Sequence, residues 1–290
     1  MDLSLRDALE QLLQGWRDDL SHPWSQALAG AEPDFAAVDP ALVPAAGEVI
    51  YPGRKGTPPP GARADSHMFR ALDGIAPDDV RVVVMGQDPY THVQQATGRS
   101  FEQGDLHDWK GKPRVSPSLR RLVQAVALRR TSDRRYAEGD AGWKALVHDV
   151  GAGTLAIEAP QPLWDRWQQQ GVLFINAILT FNRFDPAFQF GGHQPLWRPV
   201  IRRLLGHLVE RPDRPLVCVA WGGKALAALQ DAKVEETARA AGAWETRVRI
   251  VRAPHPNAPP PEAPPFLAGG DRLQEVNDAL AAMGGEPVDW

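Results

Sequence analysis

The chain has 290 residues, 43% of them hydrophobic and 23% charged, which is typical of a soluble globular protein with one large domain or two small ones. No apolar stretch approaches the about 18 residues of a membrane span, and no apolar signal segment opens the sequence, so we expect a cytoplasmic protein that does not contact membranes. Cys218 is the only cysteine and the eight histidines show no metal-ligand spacing, which excludes internal disulfides, cysteine-built zinc sites and iron–sulfur clusters and predicts no metal and no cofactor.

Charge is distributed unevenly along the chain. The formal net charge of −4 argues weakly against a polyanionic partner, and the first fifty residues carry nine acidic side chains against two arginines. Between residues 110 and 135 the balance reverses, with nine basic side chains and a single acid, Asp133. This run is either a solvated surface or a patch that contacts phosphates.

The first sixteen residues, MDLSLRDALEQLLQGW, have the pattern of an amphipathic helix. Four leucines share one face of it, namely Leu5, Leu9, Leu12 and Leu13. We interpret residues 1–45 as a helical extension of one domain that spans residues 1–290.

Four apolar runs further along have the length and composition of buried strands. They cover residues 81–86, 171–177, 216–222 and 247–254. Helical patterns lie between and after them, at 119–128, 200–209, 224–229 and 273–283. Strands alternating with helices indicate βαβ units, so we predict an α/β fold of three layers, α/β/α, around a central four-stranded parallel sheet.

Polar side chains follow three of these strands. The first strand runs into GQDPY with Asp88, the second ends at Asn176, and the fourth is followed by His255. Because the carboxyl ends of parallel strands share one edge of the sheet, these three side chains are expected to meet in one crevice. A carboxylate, an amide and an imidazole gathered there are typical of an active site.

Five motifs in order resemble those of the family 1 uracil-DNA glycosylases, from about residue 75 to the end of the chain. GQDPY with the later Phe101 resembles the water-activating loop of that family, and VLFINAILTF its uracil-recognition segment. SPSL at 116–119 is similar to its phosphate loop, VCVAWG to its penultimate strand, and APHP at 253–256 to its histidine loop. The resemblance implies a DNA repair enzyme, acting as a monomer on uracil-containing single- or double-stranded DNA.

The resemblance also implies a role for each matching residue. Asp88 would stabilise the sugar cation and activate the attacking water. His255 would donate a hydrogen bond to the negative charge that develops on the uracil oxygen, which suits a neutral imidazole. These two residues are the predicted catalytic pair.

Substrate recognition is assigned in the same way. Asn176 would match the uracil edge and reject cytosine, Tyr90 would exclude the thymine methyl group, and Phe101 would stack on the flipped base. Gln87 is also assigned to substrate binding. The predicted contacts to DNA phosphates are Ser116, Ser118 and Asn257.

The chain departs from the family pattern at several positions. Thr91 follows the tyrosine where the family has histidine, with His92 one place later. Asn257 stands where a phosphate-binding serine is expected, and Pro259 where a leucine enters the duplex. Without that leucine, we predict a stronger preference for single-stranded DNA, unless Phe266 or Leu267 substitutes for it.

Three other functions compete with uracil excision as interpretations of the sequence. A P-loop at WGGKALA fails, because Cys218 occupies the place of the first glycine and Ala225 that of the serine or threonine. A non-catalytic protein that binds damaged or abasic DNA is disfavoured by the presence of both Asp88 and His255. A glycosylase with another base preference remains open, and Tyr90 and Asn176 are the residues that would decide it.

Overall fold

The structure is a computed structural model that describes residues 3–110, 114–258 and 265–290. Within these residues one sheet of four parallel strands has the order β2-β1-β3-β4. The strands are β1 (Val82–Gly86), β2 (Val172–Asn176), β3 (Leu216–Trp221) and β4 (Val248–Ala253). The α/β fold with a central parallel sheet is therefore confirmed, and each strand falls within its predicted run.

Strands β1, β2 and β3 are buried on both faces of the sheet, and their successive residues point to opposite sides. Val83 and Met85 of β1 belong to the apolar cluster on one face, and Val82 and Val84 to the cluster on the other. This explains why these three strands read as continuous apolar runs, whereas the partly buried edge strand β4 contains Arg249 and Arg252.

Helices pack against both faces of the sheet. One layer contains α1 (Leu5–Leu12), α2 (His22–Ala27), α7 (Gln194–Glu210), α8 (Gly223–Asp231) and α9 (Val234–Ala240). The other contains α3 (Pro117–Thr131), α4 (Gly139–Gly151), α5 (Pro160–Gln169) and α11 (Arg272–Ala281). Two short helices, α6 (Pro186–Phe188) and α10 (Pro265–Ala268), lie in loops.

The amino-terminal segment packs into the main core instead of standing apart from it. Leu5 and Leu9 are fully buried in the same apolar cluster as α7. The Trp24 indole donates a hydrogen bond to the Ile75 carbonyl oxygen over 2.7 Å. Residues 1–45 thus supply part of one helical layer, as far as the structure describes them.

Part of the basic run at 110–135 is engaged in separate ion pairs. Arg130 contacts Glu158 at 2.9 Å, and Arg135 contacts Asp149 at 2.8 Å. These acids come from α4 and the segment after it, so the arginines join helices to one another. The run thus combines paired arginines with side chains such as Arg114 and Arg134, for which there is no ion pair among the described residues, and its interpretation as a solvated surface or a phosphate patch stays a prediction. In the three described ranges, no helix has the length and apolarity that crossing a membrane requires.

Candidate active site

A cavity of about 240 Å³ opens at the carboxyl ends of β1 and β2. The loop after β1, the end of β2 and the loop after β4 form its walls. Among the predicted site residues, those that line it are Gln87, Asp88, Tyr90, Phe101, Ser118, Asn176 and His255. Ser116 and Asn257 lie outside this lining.

Asn176 reaches the cavity because its neighbour in the sheet is a glycine. Gly86 pairs with Asn176 in the register of β1 and β2. A Cβ on Gly86 would lie 2.1 Å from Asn176 Oδ1 and 2.6 Å from the Cβ of Ser100, so a larger residue would displace the amide. The Asn176 side chain is 4% exposed and has no hydrogen-bond partner among the described residues. Its donor and acceptor are therefore available to a ligand, whose complementary edge would offset the cost of burying them.

Asp88 lies in the cavity wall with an altered proton affinity. Burial raises its pKa from 3.8 to about 6, an effect that Lys224 and a backbone hydrogen bond partly oppose. Gln189 donates a hydrogen bond from Nε2 to Asp88 Oδ2. The group is thus a carboxylate at neutral pH, yet has a pKa close enough to neutrality to accept a proton.

His255 has one ring nitrogen occupied and one available. The backbone N–H of Asn257 donates to His255 Nδ1 over 3.1 Å, so the neutral ring carries its proton on Nε2. Desolvation and the charge of Lys224 lower the pKa of His255, although one side of the ring reaches solvent. Gly222 permits the close approach, since its φ is +98° and a Cβ there would lie 2.8 Å from that of His255. The site therefore presents a neutral N–H donor.

Phe101 forms an aromatic wall with a strained backbone. Its φ is 60°, in the left-handed region that costs a residue with a side chain about 1–3 kcal/mol. Its ring lies 6.0 Å from the Trp221 ring and 6.5 Å from the His255 ring, measured between centroids. Strain of this kind concentrates where a ligand must be held in one orientation.

The Tyr90 ring is held in place by its hydroxyl. The hydroxyl donates to the Phe101 carbonyl oxygen over 3.2 Å and lies 2.9 Å from Ser116 Oγ. Burial raises the pKa of Tyr90 to about 12, so it stays protonated. Ser116 also caps α3 by accepting from the backbone N–H of Leu119 over 3.4 Å. These two contacts give Ser116 a structural task, whereas Ser118 is the serine that borders the cavity.

Three residues of this region were missed by the sequence interpretation. Gln189 comes from a π-helical turn, Gln189–His193, between β2 and α7. Arg99 lines the cavity and anchors the loop after β1 through a 2.7 Å contact with Asp165. Lys224 acts on the charge of both catalytic candidates. Local patterns carry no signal for these residues, because each works through a partner distant in the chain.

A buried hydrogen-bond chain lies behind the π-helical turn. Trp197 Nε1–H donates to Thr180 Oγ1 over 2.7 Å, and the Thr180 hydroxyl is 2.9 Å from His193 Nδ1. His193 Nε2 is 3.0 Å from Asn182 Oδ1, and Asn182 Nδ2 donates to Glu48 over 3.1 Å. Burial lowers the pKa of His193 to about 3, so the ring is neutral and each link has one donor and one acceptor.

A second cavity of about 580 Å³ adjoins the first. Gly86, Gln87, Phe101 and His255 border both. Lys224 and Asn257 line the second cavity but not the first. Lys224 has no hydrogen bond or ion pair within the described residues, which leaves a free cation beside the catalytic candidates.

The suggested replacement for the leucine that enters the duplex is wrong. Phe266 is 1% exposed and packs against Trp221 with ring centroids 5.2 Å apart. Leu267 is 2% exposed in the same apolar cluster. Both residues belong to the core and cannot reach DNA without unfolding it. Pro259, on which the strand preference depends, lies outside the described residues.

Comparisons with known proteins agree with this architecture. The family model of the Uracil DNA glycosylase superfamily matches residues 74–259. The uracil-DNA glycosylase of Bordetella petrii is 31% identical over 97% of this chain and 87% of its own length. That of Chromobacterium violaceum is 31% identical over 91% of this chain and 93% of its own.

Solved structures share the fold. The wild-type UNG from Nitratifractor salsuginis has a TM-score of 0.60 at 20% identity, covering 94% of this chain and 95% of its own. The mimivirus uracil-DNA glycosylase has a TM-score of 0.61 at 16% identity, covering 100% of this chain and 94% of its own. With the family match over most of the chain, these relatives place it plainly: the chain belongs to the uracil-DNA glycosylase superfamily.

Proposed function

We propose that this protein removes uracil from DNA by hydrolysing its N-glycosidic bond, in the manner of the family 1 enzymes, and leaves an abasic site. One observation carries the proposal. The Asp88 carboxylate, the unpaired Asn176 amide and the His255 N–H donor border a single cavity in a chain of this superfamily.

Recognition begins with extrusion of the nucleotide, because a base inside the helix stack cannot enter an enclosed cavity. Asn176 offers a donor and an acceptor to the uracil edge. Cytosine presents an amine where uracil has a carbonyl, so it would leave the buried amide mismatched. The fixed Tyr90 ring supplies a steric barrier to the methyl group of thymine.

Bond cleavage needs charge stabilisation on both sides of the bond. When C1′–N1 breaks, its electron pair goes to uracil and a positive charge spreads over the sugar. The Asp88 carboxylate stabilises that cation and accepts a proton from the water whose oxygen bonds to C1′. The Nε2–H of His255 donates to the uracil oxygen on which negative charge collects.

Gln189 acts as a positioning residue for Asp88. Its amide donates to one carboxylate oxygen, which fixes the orientation of the other and favours the charged form. The π-helical turn that carries it is in turn fixed by the buried hydrogen-bond chain ending at Glu48.

Phosphate contacts are assigned to the rim of the site. Ser118 borders the catalytic cavity and Asn257 the adjoining one, so both can contact the strand on either side of the extruded nucleotide. Ser116 is the weakest of the three predicted contacts, since Tyr90 and the start of α3 already use its hydroxyl. The working enzyme in this proposal is a cytoplasmic monomer, which light scattering and cell fractionation would test.

A base-release assay tests the function. Matched single- and double-stranded oligonucleotides containing one uracil are incubated with the protein, with thymine oligonucleotides as the control. We expect free uracil and an abasic site from both uracil substrates, and nothing from thymine. Binding without release would instead identify a damaged-DNA-binding protein, and release of another base would identify a different specificity.

A further inference from the structure

Two phenylalanines on the loop between β2 and α7 are exposed to solvent. Phe184 is 83% exposed and Phe190 49%. The other large apolar side chains exposed in the described residues, Leu3, Val43 and Val49, are aliphatic. One exposed apolar residue is ordinary, but two aromatic rings on one loop beside an active site indicate a binding surface.

The backbone that carries these rings is fixed. The Arg183 guanidinium lies 4.2 Å from the centroid of the Phe188 ring and also pairs with Glu48. The backbone N–H of Asp39 donates to the Gly191 carbonyl oxygen over 2.8 Å. The loop is thus tied down on both sides of its exposed rings, which keeps the entropic cost of using them low.

The loop also borders the catalytic site. Gln189, directly before Phe190, donates to the carboxylate of Asp88. Phe190 therefore directly follows, in the π-helical turn, a buried residue that contacts the predicted catalytic carboxylate, while its own ring is exposed to solvent.

We propose that Phe190, assisted by Phe184, stacks on the DNA bases that flank the extruded uridine. This inference rests on the proposed function and names a part of the substrate that the catalytic cavity does not reach. Extrusion of a nucleotide leaves its neighbours unstacked, and an aromatic ring replaces the lost stacking whatever the sequence. Phe266 and Leu267 are buried and unable to do so.

The contact is with base faces and not with phosphates. The carboxylates of Glu48 and Asp185 lie in the same region, Glu48 bound to Arg183 and Asp185 at the start of α6. Arg183 is thus already paired with Glu48 and Asp185 adds a negative charge, so this loop offers no free guanidinium to a phosphate, whereas the uncharged faces of the bases need none. Removing the rings is therefore expected to leave the salt dependence of binding unchanged, because no counterions are released at this surface.

The test uses the full chain and four variants: Phe190→Ala, Phe184→Ala combined with Phe190→Ala, Phe190→Trp, and Leu3→Ser as a control of similar exposure. The ratio kcat/KM is measured on matched single-stranded and duplex uracil oligonucleotides at several salt concentrations. A 2-aminopurine next to the uracil reports unstacking by its fluorescence.

We expect Phe190→Ala to lower kcat/KM on duplex roughly tenfold, with a smaller loss on single strands, because only the duplex must be opened. The double variant should lose more, Phe190→Trp should stay close to wild type, and Leu3→Ser should change nothing. The slope of binding against salt should be the same in all of them.

Two outcomes overturn the inference. If the double variant keeps the wild-type kcat/KM on both substrates and an unchanged melting temperature, this surface does not bind DNA. If the same variant also loses self-association, the surface is a contact between two copies of the chain. A reduced salt slope in Phe190→Ala would replace base stacking by a phosphate contact. A wild-type protein that releases no uracil from any DNA would instead refute the proposed function itself.

Discussion

Two histidines differ in the way that distinguishes a candidate catalytic residue from a structural one: His255 borders the cavity, and His193 lies in the core behind it. His193 is fully buried, and both of its ring nitrogens have partners, Thr180 and Asn182. His255 reaches the surface, and only its Nδ1 has a partner, the backbone N–H of Asn257. Burial lowers the pKa of both rings.

The difference lies in the nitrogen that remains available. A lowered pKa alone would select His193, whose shift is the larger, as the functional histidine. The hydrogen bonds select His255, because a ring whose two nitrogens are both paired has nothing to offer a substrate. The same criterion separates Asn176, whose amide is unpaired, from Asn182, whose amide joins the buried hydrogen-bond chain.

The largest effect is expected from Asp88→Asn, which changes a residue that borders the catalytic cavity as His255 does. The amide keeps the shape but supplies neither charge nor base, so uracil release should fall by about 10²- to 10⁴-fold with DNA binding retained. Stability should change in the opposite direction. Because folding raises the pKa of Asp88 from 3.8 to about 6, the cost of ionising it in the folded protein develops between these two pH values and is complete above pH 6. The variant should therefore melt a few degrees higher than wild type at pH 8, and at the same temperature as wild type at pH 3.

A variant whose rate of uracil release stays within threefold of the wild-type rate would show that Asp88 takes no part in the chemistry.

His255→Phe should have the next largest effect. The ring shape is kept and the N–H donor is lost, which lowers kcat by about 10²- to 10³-fold in sites of this kind. Single-turnover kinetics on a uracil oligonucleotide measure the loss, and an unchanged melting temperature is the control. A variant that melts lower but retains its rate would place His255 with His193 as a structural residue.

His193→Phe should do the reverse. Thr180 and Asn182 would each lose a partner in the core, and the free energy of unfolding should fall by about 2–4 kcal/mol. Uracil release per folded molecule should drop far less than in His255→Phe. Urea unfolding and titration of active molecules measure the two quantities; a rate loss as large as that of His255→Phe at wild-type stability would erase the distinction.

Tyr90→Ala should raise the ratio of thymine release to uracil release by about 10- to 200-fold, which is the range of discrimination that a pocket achieves for one methyl group. The steric barrier at carbon 5 disappears with the ring, while the Asn176 amide stays in place. A thymine–guanine mismatch oligonucleotide is the substrate for the measurement. Normal uracil release without any thymine release would locate the barrier elsewhere.

The smallest effect is the acidic limb of the pH profile at moderate acidity, about tenfold at pH 5. With the pKa of Asp88 at about 6, kcat/KM should be flat above that pH and fall about tenfold per unit below it. The contribution of His193 to stability should decline from pH 6.5 towards 3, because unfolding lets the ring take up a proton that the fold denies it, whereas the contribution of Asp88 has the opposite sign between pH 6 and 3.8. His193→Phe should weaken the second trend and leave the first unchanged.

The strands and the three residues at their ends were predictable because each depends on local sequence. An apolar run followed by GQDPY or by Asn176 carries its own signal, and parallel strands bring the ends together. Helix α5 had no such signal. Its first turn contains Pro160 and Pro162, which read as a loop, although proline is well tolerated there.

The supporting residues were not predictable, for the same physical reason. Gln189 and Asp88 are 101 positions apart, and Arg99 and Asp165 are 66 apart. Side chains that work through such distant partners leave no periodicity or spacing in the sequence. The prediction that Phe266 could enter the duplex was wrong for a related reason. The sequence of an apolar residue after a proline-dense loop is the same whether its side chain lies in the core or at the surface.

The pairing of Gly86 with Asn176 makes the position of the amide to which we assign base recognition depend on the alignment of two strands. A shift of β2 by a single residue would turn the amide to the other face of the sheet, since side chains alternate. Such a slip would also drive Leu173 and Ile175 out of their apolar cluster and exchange them for Phe174. In the proposed function, the position of the uracil-reading amide therefore depends on the same strand register that buries the core, and a change of register would disrupt both at once.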